Sequence, residues 1–378
     1  MKKVIVVTVG SLYKVPPVIS LLNGLVEQNV SITLITTEDG IDSDDALKEK
    51  IEILKISETY ESKVPSLFKL FRMIKIRKHI WELIASKYDS ESILWILSDA
   101  TVKNLGRKLL KYRYVLQLYE LVEKRYLISN IKIGDIHLDR FARSAIRVVV
   151  PEYNRAHITK AWWGLEKMPF VLENKPYYSN VAEKRNAEIT HSMVAKNIID
   201  SVKNKKIILY QGIVHKERPL DAFMKAIEML GDDYVFIVMS NGDDPFEGRN
   251  IKNYFFIPHI QAPYHLEITS HAYIGVLSYV PTKTSNSILN AVYCAPNKTF
   301  EYSRFGIPMI SNDVPALMFL FNDYKCGICV DGDDSVCICE AIKTIDRNYS
   351  TFSINSLDFY SNTDYVEKIK KILEEIFA

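Results

Sequence analysis

Arg218, Lys298 and Glu301 are the side chains of this 378-residue chain whose types and settings best fit anion and hydroxyl chemistry. Lys298 and Glu301 stand in the stretch Ala295-Pro-Asn-Lys-Thr-Phe-Glu-Tyr-Ser-Arg-Phe-Gly-Ile-Pro-Met-Ile-Ser-Asn-Asp-Val-Pro-Ala-Leu317, which reads as helix, stop, strand, turn, helix. Pro296 suits a first helical turn because its missing N–H would go unpaired there. Gly306 suits the left-handed position after the last turn, and Pro308 prevents continuation. That spacing predicts a helix of roughly ten residues. Met309 to Ser311 then reads as a buried strand, and Asn312 and Asp313 offer side-chain oxygens to cap a following helix at Val314-Pro315. Two helix starts thus flank one strand, and a helix start presents unpaired N–H groups that seat phosphate. Glu301, about one turn in, would repel an anion it faced, but it can accept hydrogen bonds from sugar hydroxyls a step further away. Spacing alone favours the plainer alternative, a solvated Glu301 with Phe300 and Phe305 in the core. Arg218 opens a second predicted helix, Arg218-Pro-Leu-Asp-Ala-Phe223, from which a forked guanidinium can grip phosphate oxygens with Lys216 as a weaker assistant. As bare sequence Arg218 also reads as a surface cation.

Pro296-Asn-Lys-Thr-Phe-Glu-Tyr302, followed by Gly306-Ile-Pro-Met-Ile310, resembles the C-terminal signature of the retaining, group 1 glycosyltransferases of GT-B fold, in the subgroup reading Pro-Asn-Lys-x-Phe-Glu-Tyr. The resemblance implies that Glu301 binds the ribose hydroxyls of a nucleoside diphosphate sugar. It also implies that the helix start, with Asn297, Lys298 and Thr299, holds the diphosphate. Ile208-Leu-Tyr-Gln-Gly-Ile213 is similar to the strand and glycine loop that grip the same diphosphate, which adds Gly212 beside Lys216 and Arg218. Many relatives carry an arginine directly after that glycine, where this chain has Ile213. His259 follows a predicted strand where the family contacts the nucleotide base, although a lone histidine there is more often a loop residue. A further departure concerns the sugar. Better-known relatives have two glutamates separated by seven residues, and counting back from Glu301 gives Tyr293. The loop from Tyr279 to Asn290, through Ser285, Asn286 and Asn290, is the remaining candidate for sugar contacts.

The expected fold class is therefore α/β, GT-B: two Rossmann-like domains whose parallel sheets face each other across a cleft. Residues 1–175 form the acceptor domain, 176–362 the nucleotide-sugar domain, and 363–378 a C-terminal helix crossing back to the first domain. The length alone asks for two α/β cores rather than one. The break falls in Leu172-Glu-Asn-Lys-Pro-Tyr-Tyr-Ser-Asn180, polar and without apolar period. In the first half, Val4 to Val9, a helix from Pro16 to Gln28, and Ser31 to Thr36 make a strand, helix, strand unit, extended by Ile93 to Leu97, Tyr114 to Leu118 and Arg147 to Val150. Its first loop lacks a Gly-x-Gly-x-x-Gly fingerprint, which argues against a dinucleotide-binding dehydrogenase. Glu120, after the run ending at Leu118, reads either as a turn or capping residue or, by resemblance, as the acceptor-side carboxylate. Glu152 and Arg155, after the next run, rank below it. In the second half, Lys206 to Tyr210, Tyr234 to Met239, Tyr254 to Ile257 and Tyr273 to Leu277 supply the strands. Tyr365, Ile369, Ile372 and Ile376 give a final helix one apolar face.

A balance of 48 Lys and Arg against 46 Asp and Glu leaves a net charge of +2, so no global field points to a nucleic acid. Basic surface is local: Val64 to Tyr88 reads as a helix with Lys69, Arg72, Lys75 and His79 on one face and Leu67, Leu70, Phe71, Ile74 and Trp81 broadly opposite, with Arg77 and Lys78 interrupting the apolar side. Its two readings are contact with an anionic membrane surface and an ordinary surface helix. No apolar run reaches the roughly 18 residues of a membrane span, so the expected location is cytoplasmic, peripheral to the inner face of the membrane if the helix binds lipid. Four of the five cysteines form Cys326-x2-Cys329 and Cys337-x-Cys339. Zinc is the sharper reading, but strand and helix geometry would spread those thiols apart, which favours small buried hydrophobes. No cofactor is expected beyond the donor substrate, and no divalent metal, since no Asp-x-Asp is expected at a strand end and cationic side chains can do that work. By resemblance the reaction transfers a sugar, with retention, to a glycan or lipid-linked acceptor in bacterial surface polysaccharide assembly. Arg218 and Lys298 would offset charge on the leaving diphosphate. A nucleotide-sugar epimerase and a non-catalytic subunit binding a glycan or partner protein are the alternatives.

Overall fold

The computed structural model describes residues 2–10, 17–37, 45–56, 66–128, 132–177, 184–282 and 287–378, without the side chains of 45, 46 and 66–71. The first helix's approach loop, the side chains of Leu67, Lys69, Leu70 and Phe71, and the sugar-loop candidates Ser285 and Asn286 lie outside the described residues. The chain divides into two compact units, Met1–Tyr177 with Asp364–Ala378, and Tyr178–Thr363.

In the first unit β1 (Lys3–Val7), β2 (Ser31–Thr36), β3 (Glu52–Lys55), β4 (Ser92–Leu97), β5 (Tyr114–Gln117), β8 (Arg147–Val150) and β9 (Phe170–Val171) form one parallel sheet in the order β3-β2-β1-β4-β5-β8-β9. The short hairpin β6 (Tyr126–Ile128) and β7 (Ile133–Asp135) stands apart from it. Strands such as Ser-Ile-Leu-Trp-Ile-Leu in β4 are buried along their whole length, as a sheet covered on both faces requires. The final helix, Tyr365–Ile376, buries Tyr365, Ile369, Ile372, Leu373 and Ile376 within this same unit. It packs so closely on the helix Pro17–Val26 that a Cβ on Gly24 would lie 2.3 Å from Ile369 Cδ1. Arg147 Nε donates to Glu375 at 2.7 Å, and Arg113 donates to the Ile376 carbonyl at 3.0 Å, tying its last turn to the sheet.

The second unit repeats the plan with β10 (Lys206–Gln211), β11 (Tyr234–Ser240), β12 (Tyr254–Pro258), β13 (Ile274–Leu277), β14 (Met309–Asn312) and β15 (Gly327–Val330), in the order β12-β11-β10-β13-β14-β15, all parallel. In each sheet the chain runs outward on one side of the first strand and then returns to its other side. The reversal falls between β1 and β4 and between β10 and β13. In open parallel sheets the crevice at the strands' carboxyl ends beside such a reversal is where ligands bind.

Several local expectations change. The helix after Pro296 is shorter than ten residues, Lys298–Ser303, because the chain tightens into i to i+3 turns by Gly306, at φ +63°. Asn312 and Asp313 do not cap the next helix, which begins at Pro315 with Val314 as its uncapped N-cap. Arg218 is not at a helix start either: it sits in the loop before Asp221–Leu230, its backbone N–H bonded to the His215 carbonyl. On the basic helix, Ser66–Lys87, the buried stripe is Met73, Ile76, Ile80, Trp81 and Ile84, while Ile74 is half exposed. Arg77 does not spoil that stripe: its guanidinium donates to the Asn104 and Lys103 carbonyls at 2.8 and 3.0 Å, satisfying the end of the neighbouring helix Ser98–Leu105. Among the described residues no helix is long and apolar enough to cross a membrane. Cys326 and Cys339 are buried, Cys337 is exposed, and no group of three or more potential metal ligands occurs among the described residues. Contrary to expectation, an Asp-x-Asp does stand at a strand end: Asp331-Gly332-Asp333 directly follows β15, with the Asp331 carboxylate accepting the Asp333 N–H at 3.0 Å.

Candidate functional site

The carboxyl ends of β10 and β13 deliver Gln211-Gly212 and Ser278-Tyr279, and the helix Lys298–Ser303 lies across them. That helix is seated by Tyr302, a fully buried side chain whose hydroxyl donates to the Leu209 carbonyl of β10 at 3.0 Å. Gly275 in β13 makes the seat, since a Cβ there would fall 2.4 Å from the Tyr302 ring. Phe300 stacks on Phe359 on the far side, 4.9 Å between centroids. Burying such rings contributes roughly 1.5–3 kcal/mol each, enough to hold a six-residue helix that would not persist in water.

So held, Lys298 turns its ammonium inward. Only 7% of the residue is exposed, and Nζ is buried without a hydrogen-bond partner among the described residues. Two tyrosine rings receive it, with Tyr210 at 4.4 Å and Tyr279 at 5.4 Å from Nζ to centroid. The Arg218 guanidinium lies against the same Tyr279 ring, 4.8 Å from its centroid. Gly212, at φ +122°, closes the ring of groups: the position of a Cβ on it would be 3.3 Å from Lys298 Nζ and 3.9 Å from Arg218 Nη1. Glycine suits that backbone conformation, which residues with a side chain rarely adopt.

The loop carrying Arg218 is fastened to the segment after β13. Val280 N–H donates to the Glu217 carbonyl at 2.8 Å and Ser278 Oγ to the Pro219 carbonyl at 2.9 Å. Asn312, expected to cap a helix, instead clamps the Tyr279 backbone, its Oδ1 accepting the Tyr279 N–H at 2.6 Å and its amide donating to the Tyr279 carbonyl.

Glu301, one turn from Lys298, is not the solvated residue that spacing favoured. It is 7% exposed, accepts from Gln211 Nε2 at 2.5 Å and faces His265 Nε2 at 3.3 Å. Thr269 Oγ1 donates to Gln211 Oε1 at 2.7 Å, which fixes the amide so that its nitrogen faces the carboxylate. His265 Nδ1 is buried without a partner among the described residues. Burial pushes the Glu301 carboxyl up, but His265, Gln211 and Lys298 together outweigh it and hold it below its ordinary value. Lys298 goes the other way. Burial, then the Arg218 charge, push its ammonium well below the ordinary lysine value, and Glu301 offsets this only in part.

Gly212, Arg218, Lys298 and Glu301 are thus brought to one place. Thr299 is buried beside them but its hydroxyl donates to the Pro296 carbonyl at 2.8 Å, and Asn297 is the half-buried N-cap residue without a side-chain cap. Lys216 and His259 are exposed, in the Arg218 loop and just past β12. Asn290 and Tyr293 belong to the short helix Leu289–Val292 and its end. Glu120 lies in the first unit, exposed after β5, with Arg155 Nη1 3.8 Å from its carboxylate. Glu152 caps the helix Tyr153–Trp163 through the Asn154 and Arg155 N–H groups, a structural task. The sequence reading missed Thr269 and His265, and gave no individual role to Tyr210, Gln211 or Tyr279, which it named only within longer stretches. Gln211 had one available signal, its place immediately before Gly212, whereas His265 and Thr269 stand at no informative spacing. A cavity of about 340 Å³ against β15, lined by Phe321, Cys329 and Phe352, involves none of these residues.

No protein-family model and no curated protein sequence matches the chain. Solved structures do. The trehalose-6-phosphate synthase OtsA superposes with a TM-score of 0.68 at 9% identity, over 100% of this chain and 99% of its own. HepE of Anabaena, in complex with UDP and glucose, gives 0.66 at 12% identity over 99% of both chains. Sucrose-phosphate synthase of Thermosynechococcus elongatus gives 0.63 at 12% identity, over 100% of this chain and 96% of that one. The fold is α/β with two parallel sheets, that of the GT-B glycosyltransferases, over the whole chain.

Proposed function

We propose that this chain is a glycosyltransferase that moves a sugar from a nucleoside diphosphate sugar to a glycan or lipid-linked acceptor, with retention of configuration and without a divalent metal, in bacterial surface polysaccharide assembly. One observation carries the reading: the Lys298 ammonium is buried without a hydrogen-bond acceptor among the described residues, beside the Arg218 guanidinium and against Gly212. A diphosphate supplies the missing acceptors, and its charge grows as the sugar departs, so fixed cations stabilise the transition state more than the ground state. Glu301, one turn away and held as a carboxylate, accepts from ribose hydroxyls. The fold's occurrence in HepE with UDP and glucose supports this class of donor.

In this reading Gly212 lets the diphosphate approach the backbone, Asn297 and Thr299 contact it at the helix start, Lys216 adds a further charge, His259 and Asn286 serve the base and the sugar, and Glu120 serves the acceptor. The protein works in the cytoplasm, and the basic helix Ser66–Lys87 brings it to an anionic membrane surface. Tyr293 in place of the sugar-reading glutamate favours one second reading, a subunit that binds donor without turning it over. Thermal shift against a panel of nucleoside diphosphate sugars, followed by transfer assays on lipid-linked and glycan acceptors, tests both. Binding with transfer is expected; binding without transfer selects the second reading, and no binding by any donor overturns the first.

A further inference from the structure

The Lys298 ammonium and the Arg218 guanidinium both lie within 4 Å of the point where a Cβ on Gly212 would sit. Around them stand Tyr210 from β10, Tyr279 after β13, the buried Cys294 thiol ahead of the helix, and Glu301 on the helix itself. Glu301 is the one carboxylate among the described groups facing Lys298, and Gln211 and His265 already occupy its oxygens. A buried cation and a half-buried one therefore stand together beside one carboxylate whose oxygens are already engaged. Arginine does not release a proton in proteins, whereas a desolvated lysine does.

We propose that Lys298 is the proton switch of the donor site: a neutral amine when the site is empty and an ammonium when a nucleoside diphosphate is bound, so that donor binding takes up one proton. The inference rests on the reading of this cradle as a diphosphate site. The step is a protonation only, in which the Nζ lone pair takes a proton from solvent as phosphate oxygens replace the missing counter-charge. The depressed proton affinity of Lys298, caused first by burial and then by Arg218, agrees with it. Product release then reverses the step: once the nucleoside diphosphate leaves, Lys298 returns its proton and the empty site avoids two uncompensated charges. Affinity consequently depends on pH through the Lys298 amine itself.

Isothermal titration of UDP, ADP, GDP, CDP and dTDP at pH 8.5, in three non-phosphate buffers of different ionisation enthalpy, reads the proton count directly. About one proton taken up per bound diphosphate is expected, with affinity weakening as pH rises further. Lys298→Arg, whose charge is fixed, should bind without uptake, and Lys298→Met should show none in whatever binding remains, circular dichroism confirming that both are folded. His265→Gln should keep the uptake, which separates Lys298 from the neighbouring imidazole. Binding by wild type without proton uptake, or uptake that survives in both Lys298 variants, overturns the switch and leaves the diphosphate reading standing. Failure of all five nucleotides to bind overturns both.

Discussion

The two sheets share one plan and differ in what stands at their reversal points. At β1 and β4 the described polar groups face counterparts in the protein itself: Val9 N–H donates to Thr101 Oγ1 at 3.1 Å, Ser98 takes φ +71° to start the next helix, and the Asp99 carboxylate has the Arg125 guanidinium 3.1 Å away as its counter-charge, without an aligned hydrogen bond. At β10 and β13 the corresponding space receives a cation from a later helix, and that cation has no acceptor among the described residues. A crevice at strand ends thus supplies room and helix starts, but it becomes an anion site only where a side chain is held away from every internal partner. Close packing provides the holding force, through Tyr302 on Gly275 and the Asn312 clamp on Tyr279.

The contrast breaks most sharply at the cations. Arg218→Ala should lower nucleoside diphosphate affinity by about 10- to 100-fold, the loss of a charged hydrogen bond worth roughly 1.5–3 kcal/mol, while bare nucleoside binds as before. Equal loss for both ligands in a titration would deny Arg218 its phosphate role.

Two glycines sharpen the comparison next. Gly275→Ala and Gly24→Ala each force a Cβ into an occupied side chain, Tyr302 or Ile369, and each should cost about 1–3 kcal/mol in chemical denaturation. Only Gly275→Ala should also weaken nucleotide binding, because it displaces the helix that carries Lys298 and Glu301. If Gly24→Ala weakens binding as much, the site is not local to the second unit.

Acid separates the units more gently. The folded Glu301 carboxyl titrates below the ordinary 4.5, so as pH falls the unfolded chain binds the proton first. Its stabilising contribution is complete above about pH 4.5 and fades as pH drops through the lower folded value. Glu301→Gln should therefore flatten acid denaturation of the second unit, followed by hydrogen exchange, and leave the first unchanged. The smallest effect belongs to Thr101→Val at the first reversal: about 1 kcal/mol of stability at most, and no change in nucleotide affinity.

The long apolar strands, the two-unit plan's parallel sheets and the stretch around Glu301 were legible because hydrophobic runs, Gly and Pro act through local backbone rules that need no partner, whereas β3, β6, β7, β9 and β15, short and less apolar, were not read. Lys298, Arg218, Gly212 and Glu301 were legible as candidates for the same reason, with resemblance supplying their roles. Their environment was not. Whether Glu301 is solvated or clamped depends on Gln211 and His265, which lie 90 and 36 positions earlier in the chain. Asn312 has the chemistry of a helix cap, and only the neighbouring strand end, offering Tyr279, turned it into a clamp. Residue type and spacing thus determined which groups could meet a nucleoside diphosphate. The tertiary structure alone decided their surroundings, because burial and the neighbouring Arg218 charge lower the proton affinity of Lys298, and no sequence spacing encodes that neighbourhood.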